Sequence, residues 1–461
     1  MLYFLTYMIC NCDTLFVSLF LLKVLHNLFL FDIIISENMQ LDCKKYGDDK
    51  MINRVIVNEI KDAIKHYPII LLTGPRQIGK STLLYNWIMG STYDYVSLDD
   101  KLELSMAKSD PKTFLTVHKA PLIIDEAQKA PELFPEIEAI VNKSRLEKGN
   151  KESNGMYILS GSQRKQLLDE AKESLSGRVA ILDMMNLSLN EIINRESRIF
   201  NIDINTASTR TNPVISENEI FKYIVRGFFP ILYDDLEMKT SLFYSSYLTT
   251  YLEKDLKDLI TVNDEIKFIN FLKILASNTG EELVYDNYAK QVGVATNTIK
   301  SWISVLVKTA IIYLVEPYNE SSIVKRVVKR PKMYFFDTGL AAYLCGIDSA
   351  ETLQKSFLKG RFFETFVFNE IKKSFMNFGI MQDLYYYRDT DQNEIDLVLI
   401  MDASISLIEI KSGQSFNASN TKAFKIFDNT KLAKKNNAII CTADKVSVLN
   451  DGTYVLPFIC I

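Results

Sequence analysis

The sequence predicts an α/β chain: a parallel sheet covered by helices on both faces, then a helical domain, then a second α/β domain. Three observations carry this. From Pro68, short unbroken apolar runs alternate with longer helical stretches, the pattern of strands buried on both sides and joined by crossovers. A glycine-rich turn, Gly74 to Thr82, lies between the first such strand and the first such helix. After Gly360 the chain runs helix, strands, helix, strands, with charged residues set two apart inside apolar strands.

The 461 residues suffice for two to four domains. Composition divides them into an atypical apolar leader (1–50), the first α/β domain (51–195), a linker with a helical lid region (196–265), a helical domain (266–345) and the last α/β domain (355–461). A net charge of −4 excludes a uniformly basic nucleic-acid coat but leaves room for a local basic face. Six cysteines without a C-x-x-C pair exclude a disulfide framework or zinc module and fit a reducing, cytoplasmic setting. In the leader, Lys23, His26, Asn27 and Asp32 break the apolar runs below the roughly 20 continuous residues a membrane helix needs. It reads as an upstream extension of the frame, with Met51 opening ordinary domain sequence. The other reading is an amphipathic, membrane-associated segment. No stable membrane insertion is expected.

Pro68–Thr73 is the first predicted strand, and Lys80–Met89 the first helix. Tyr93–Leu98, Leu122–Asp125, Met156–Ser160 and Val179–Asp183 are further strands, with a helix over Phe134–Leu146. Arg195–Glu217, rich in Asn, Thr and Ser, reads as linker. Tyr244–Leu259 is helical, and Ile269–Tyr313 has the rhythm of a small helical domain ending in a strand.

Gly74, Pro75, Arg76, Gln77, Ile78, Gly79, Lys80, Ser81 and Thr82 match G-x-x-x-x-G-K-[ST], with the required strand before and helix after. Glycines let backbone N–H groups close around phosphate oxygens, and the helix N-terminus adds positive potential. Lys80 reaches the β- and γ-phosphates of ATP and Ser81 ligates Mg²⁺. Leu122-Ile123-Ile124 delivers Asp125 to the magnesium side, and Glu126 orients and deprotonates the attacking water. Ser162, at the tip of the next strand, is either a γ-phosphate sensor or part of a plain turn. Arg178 is either an arginine finger, in cis or from a neighbouring subunit of a homo-oligomer, or a surface arginine after a helix stop.

Tyr285–Gln291, a turn at Gly293 and Ala295–Leu306 resemble a helix-turn-helix, with Thr296 or Asn297 as cap. With Leu314-Val315 and the basic run Lys325–Lys332 as wing, this makes a winged helix. It either sets Thr296, Asn297, Thr298 and Lys300 against DNA or serves as a packing module. In the last domain, Glu364 on a helix, Asp396 on one strand and Glu409-x-Lys411 on the next form the PD-(D/E)XK nuclease pattern. Asp396 and Glu409 would hold Mg²⁺, and Lys411 would position the nucleophile. The alternative is a cross-strand ion pair.

These motifs, with Leu187–Glu191, Gly227-Phe228-Phe229-Pro230, Tyr251–Asp255 and Phe335–Leu340, resemble a family of bacterial and archaeal AAA-type ATPases. Where the family has Gly-Gly before an aromatic and Pro, this chain has Phe228. The likeness runs from Met51 to the end. It implies an AAA-like P-loop NTPase core, a winged helix and a restriction-endonuclease-like last domain. Two functions follow: an ATP-driven DNA-acting enzyme, or a nucleotide switch whose last domain is catalytically inactive.

Overall fold

A computed structural model of the chain describes residues 52–88, 91–162, 167–168, 171, 174–251, 265–319, 330–417 and 419–461. The leader, Gln163, the end of the helix expected to reach Leu259 and the basic run 325–329 lie outside the described residues. Five strands, β1 (Ile69–Thr73), β2 (Asp94–Ser97), β3 (Leu122–Asp125), β4 (Tyr157–Gly161) and β5 (Val179–Asp183), pair in the order β2-β3-β4-β1-β5. Every pair is parallel. Ile70, Leu72, Ile123 and Ile158 enter one apolar cluster, while Ile69, Leu71, Leu122, Ile124, Tyr157 and Leu159 enter another. Alternate side chains thus fill both faces, which is why these strands are apolar throughout. In register, Thr73 lies beside Gly161 and Asp183, and Ser97 beside Asp125. The C-terminal strand ends therefore form one edge, where ligands of open α/β sheets bind.

The segment expected to be a linker is folded. Asp203 caps a short helix, Ile204–Ser208, and Phe200, Ala207 and Ile215 are buried. The Arg210 guanidinium donates to the carbonyl of Ile461 at 3.1 Å, tying this stretch to the far end of the chain. Its polar composition hides the few apolar residues that anchor it.

Next come helices Glu217–Arg226 and Thr240–Tyr251. Helices Glu265–Ser277, Tyr285–Val292 and Thr296–Lys308 follow, with β6 (Glu281–Glu282), β7 (Ile312–Val315) and β8 (Lys332–Phe335) in an antiparallel sheet ordered β6-β8-β7. Gly293, at φ +72°, ends one helix in the left-handed conformation expected of that turn. The expected cap differs. Ala295 holds that position with no side-chain cap, and the Thr296 hydroxyl donates instead to Asp286 Oδ1 at 2.7 Å.

Helix Lys359–Met376 precedes β9 (Leu384–Arg388), β10 (Glu394–Met401) and β11 (Ser404–Lys411). β12 (Ala433–Lys434), β13 (Ala438–Cys441), β14 (Ser447–Val448) and β15 (Tyr454–Pro457) complete a sheet ordered β14-β15-β13-β11-β10-β9, with β12 on β11. Asp402 and Ala403, at φ +50° and +55°, make the two-residue hairpin between β10 and β11. Phe366 of the long helix stacks on Phe228 at 5.8 Å, and Phe368 on Tyr334 at 4.2 Å. Each buried ring contributes roughly 1.5–3 kcal/mol. On the same helix, Lys373 donates to the Leu187 carbonyl at 2.7 Å, and Glu370 accepts from the Leu189 amide at 2.9 Å. One apolar cluster consequently runs from Ile56 to Ile461, and residues 52–461 form one compact unit. No helix among the described residues is long and apolar enough to cross a membrane.

Candidate functional site

The turn after β1 needs its glycines. Gly74 sits at φ +149°, and a Cβ there would stand 2.3 Å from the Met184 carbonyl oxygen. Gln77 and Gly79 also take positive φ, +62° and +88°. Ile78 is fully buried and anchors the turn. Arg54 fastens it from outside every motif, donating to the carbonyls of Ile78 at 3.0 Å and Met185 at 2.6 Å and pairing with Glu191 at 3.1 Å. No spacing signal in the sequence marks Arg54.

Lys80 opens the next helix and is 5% exposed. Its ammonium donates to the carbonyls of Gly74 at 2.8 Å and Pro75 at 2.7 Å. Burial lowers its pKa to about 8, opposed in part by the nearby Glu126 and Asp125. Pro75 is buried, Arg76 half-buried, and Ser81 and Thr82 on the first helical turn are exposed.

Asp125 ends β3 and is buried. Its Oδ1 accepts from the Ser160 hydroxyl and its Oδ2 from Tyr95 Oη at 2.9 Å. Burial and this carboxylate push the Tyr95 pKa up, so Tyr95 stays a donor. Glu126 is left-handed, φ +55° and ψ +41°, a conformation that costs a non-glycine residue about 1 kcal/mol or more and turns the chain sharply at the strand end. Its Oε2 accepts from the Gln128 side-chain amide and from the Ser162 hydroxyl at 3.3 Å. A Cβ on Gly161 would stand 2.0 Å from Gln128 Oε1, so glycine there gives Gln128 its place. The structure thus brings together Lys80, Asp125, Glu126 and Ser162, and adds Tyr95, Gln128 and Ser160.

Magnesium suits this edge. Mg²⁺ takes only one or two protein groups when phosphates and waters complete its shell. The exposed hydroxyl of Ser81 and the oriented carboxylate of Asp125 are such groups.

Arg178 is elsewhere. Its carbonyl accepts from Ile69 at the start of β1, and its side chain binds Asn142 at 2.7 Å and Glu138 at 3.3 Å. Since β1 spans four residue steps from there to Thr73, about 13 Å separates Arg178 from the phosphate edge. Arg178 precedes a parallel strand, so it falls at the opposite edge, and the finger role within one chain is corrected.

The carboxylates of the last domain converge as the strand pattern requires. Lys411 Nζ lies 2.8 Å from Glu409 Oε2 and 3.1 Å from Asp396 Oδ2, which also accepts the Ile410 amide at 2.7 Å. Burial and then Asp396 push the Glu409 pKa to about 9. Burial opposes the charge on Asp396, but Lys411 and Lys332 outweigh it and hold its pKa low. Lys332, expected in a solvent-facing wing, is instead buried at 2% exposure. Its Nζ lies 3.0 Å from Glu364, 2.6 Å from Glu394 and 3.9 Å from Asp396. Among the described residues, no group of three or more His, Cys, Asp or Glu is arranged to hold a metal ion. The expected magnesium pair Asp396 and Glu409 is bound to lysines, and as arranged the cluster does not fit a metal.

On helix Thr296–Lys308, Asn297 and Lys300 are exposed and Thr296 and Thr298 half-buried. Lys300 Nζ lies 5.9 Å from the Tyr285 ring centroid.

Comparison with known proteins covers most of the chain. Residues 66–193 match the model of an AAA domain. Residues 217–351 and 359–461 match two domains of unknown function, DUF8612 and DUF4143. The uncharacterized proteins Mb2031c of Mycobacterium bovis and Rv2008c of Mycobacterium tuberculosis are each 24% identical over 400 residues, 86% of this chain and 82% of theirs. A solved Walker-type ATPase of Pyrococcus abyssi aligns with 64% of this chain and 97% of its own at 15% identity and a TM-score of 0.41, too low to establish a shared overall fold.

Proposed function

We propose, taking residues 66–193 as an AAA-type ATPase domain, that the chain hydrolyses ATP and uses its nucleotide state to alter how the fused remainder meets DNA. The observation that carries this is the buried Lys80, held by two neutral carbonyls and facing Asp125 and Glu126 across one sheet edge. A cation so placed gains most from a polyphosphate. Magnesium, when bound, neutralises charge on the phosphate oxygens. Lys80 exchanges its carbonyl partners for phosphate oxygens. Glu126 orients water and takes its proton once its carboxylate leaves Gln128 and Ser162. Purified protein should turn over ATP, and Glu126→Gln should bind ATP without turnover. Equal turnover in that variant removes the role of Glu126.

A route from this edge to the rest of the chain supports the switch. Pro230 Cγ packs 3.7 Å from where a Gly79 Cβ would stand. The adjoining turn gives its Phe228 amide to Asp337 Oδ2 at 2.8 Å, and the same oxygen accepts from Asn186 at 3.0 Å. Asp337 thus joins the exit of β5, the 227–230 turn and the helix after β8. The DNA reading rests on the two helices and three-stranded sheet, which suit a winged helix, and on the exposed Asn297 and Lys300. Lys300→Glu should weaken duplex binding and flatten its salt dependence; unchanged binding moves the contact elsewhere. Arg178 remains available only to a neighbouring subunit of a homo-oligomer.

A second reading, Mg²⁺-dependent DNA cleavage by a nuclease-like last domain, has the residue pattern of Glu364, Asp396, Glu409 and Lys411 in its favour and the pairing of those carboxylates with Lys332 and Lys411 against it. Cleavage by wild type in Mg²⁺ or Mn²⁺ that Asp396→Ala and Lys411→Ala lose would establish it. If wild type leaves DNA intact with ATP and either metal, the reading fails.

A further inference from the structure

We infer that the Lys332 ammonium occupies the place a divalent cation would take among Glu364, Glu394 and Asp396, so the last domain's carboxylate site is closed to metal by the chain itself. The lysine comes from another sheet. β8 is the central strand of its sheet, with Lys332 registered against Val315 on one side and Glu282 on the other. Its backbone is therefore fixed from both sides, which holds the origin of the side chain beside the cluster. Its Nζ donates to Glu364 Oε1 at 3.0 Å and forms an ion pair with Glu394 Oε1 at 2.6 Å. Tyr334 Oη donates to the same Glu364 oxygen at 2.6 Å, and the Tyr386 ring centroid lies 5.5 Å from the ammonium.

The remaining side of the cluster is also taken. Lys411 holds Asp396 Oδ2 and Glu409 Oε2, and Arg388 reaches Glu394 Oε2 at 3.5 Å. A divalent ion needs several oxygens directed at one point, at about 2.0–2.6 Å. Here Glu364 and Asp396 both turn an oxygen to an ammonium, and an added dication would face two of these at close range. Glu364, Glu394, Asp396 and Glu409 each already have a side-chain cation, Lys332, Lys411 or Arg388, as partner. The pattern of residues is that of a metal site, and its cation is a side chain. This lock welds the middle sheet to the last domain.

The test titrates Mn²⁺ into the full chain without nucleotide and counts bound ion from the loss of the free-ion EPR signal. Wild type and Asp396→Asn should take up the same amount. Lys332→Met should gain one Mn²⁺ per chain, lost again in Lys332→Met/Asp396→Asn, while Lys332→Arg should gain none. A Mn²⁺ held by wild type and lost in Asp396→Asn overturns the inference, as does a folded Lys332→Met that gains none. Should Lys332→Met not fold, wild type against Asp396→Asn decides alone. The inference does not depend on ATP turnover, so a chain that hydrolyses no ATP defeats the proposed function and leaves this result readable.

Discussion

Lys80 and Lys332 are both buried lysines beside acidic side chains at strand ends, and their surroundings are opposite. Lys80 donates to two neutral carbonyls, and burial brings its pKa down to about 8. Lys332 is ringed by carboxylates. Burial opposes its charge too, but Glu364, Tyr334, Asp396 and Glu394 together raise its pKa well above the ordinary value. The first lysine's hydrogen bonds go to neutral carbonyls, with Asp125 and Glu126 near but offsetting only part of its burial, and it gains by meeting an anion. The second already has its anions inside the fold. The contrast separates a site built to receive a ligand from one that has become an internal ion pair.

The sharpest way to break this comparison is to delete each lysine. Lys80→Ala should lower ATP turnover by at least about 100-fold, because charge stabilisation at the transferred phosphoryl is lost. Its fold should survive, since only two neutral carbonyls lose a partner. Lys332→Met should do the reverse: urea unfolding should show a loss of roughly 3–5 kcal/mol, the cost of leaving buried carboxylates unpaired. Adding Glu364→Gln should restore part of it. If Lys332→Met unfolds like wild type, the cluster is not an ionic lock.

Much of this was legible in the sequence. The five strands, the phosphate turn and the Asp125-Glu126 pair follow from local pattern. So does the convergence of Asp396, Glu409 and Lys411, since strand alternation and one hairpin suffice. Lys332 was not legible, because it closes a basic run whose appearance suggests solvent, and its partners Glu364 and Glu394 lie 32 and 62 positions away. Only tertiary pairing shows that the run's last residue turns inward. Arg54 escaped for the same reason: it recognises backbone carbonyls, which leave no mark in side-chain identity. Arg178 carried a signal that strand direction answers, since a residue just before a parallel strand cannot share an edge with one just after its neighbour.

A smaller effect sharpens the Lys80 half of the comparison. Free Lys80 titrates near pH 8, and a bound triphosphate raises that value. Affinity for ATP is therefore fully present below pH 8 and falls as pH rises through it, by about tenfold between pH 7 and pH 9. Calorimetry at pH 8 in buffers of differing ionisation enthalpy should show proton uptake on binding. Binding without proton uptake would mean that Lys80 is already charged, and its likeness to Lys332 would then be closer than the geometry indicates.

The smallest expected effect concerns the hold on Glu126. Gln128 reaches that carboxylate only because residue 161 has no Cβ. Gln128→Ala and Gly161→Ala should therefore act on one contact, each changing ATP turnover by roughly 2- to 10-fold, the size of a typical single hydrogen bond. Because they break the same link, the double variant should match the single ones rather than multiply them. Multiplicative effects would show that Gly161 acts through something other than Gln128. Glu126 would then be positioned by its left-handed backbone alone.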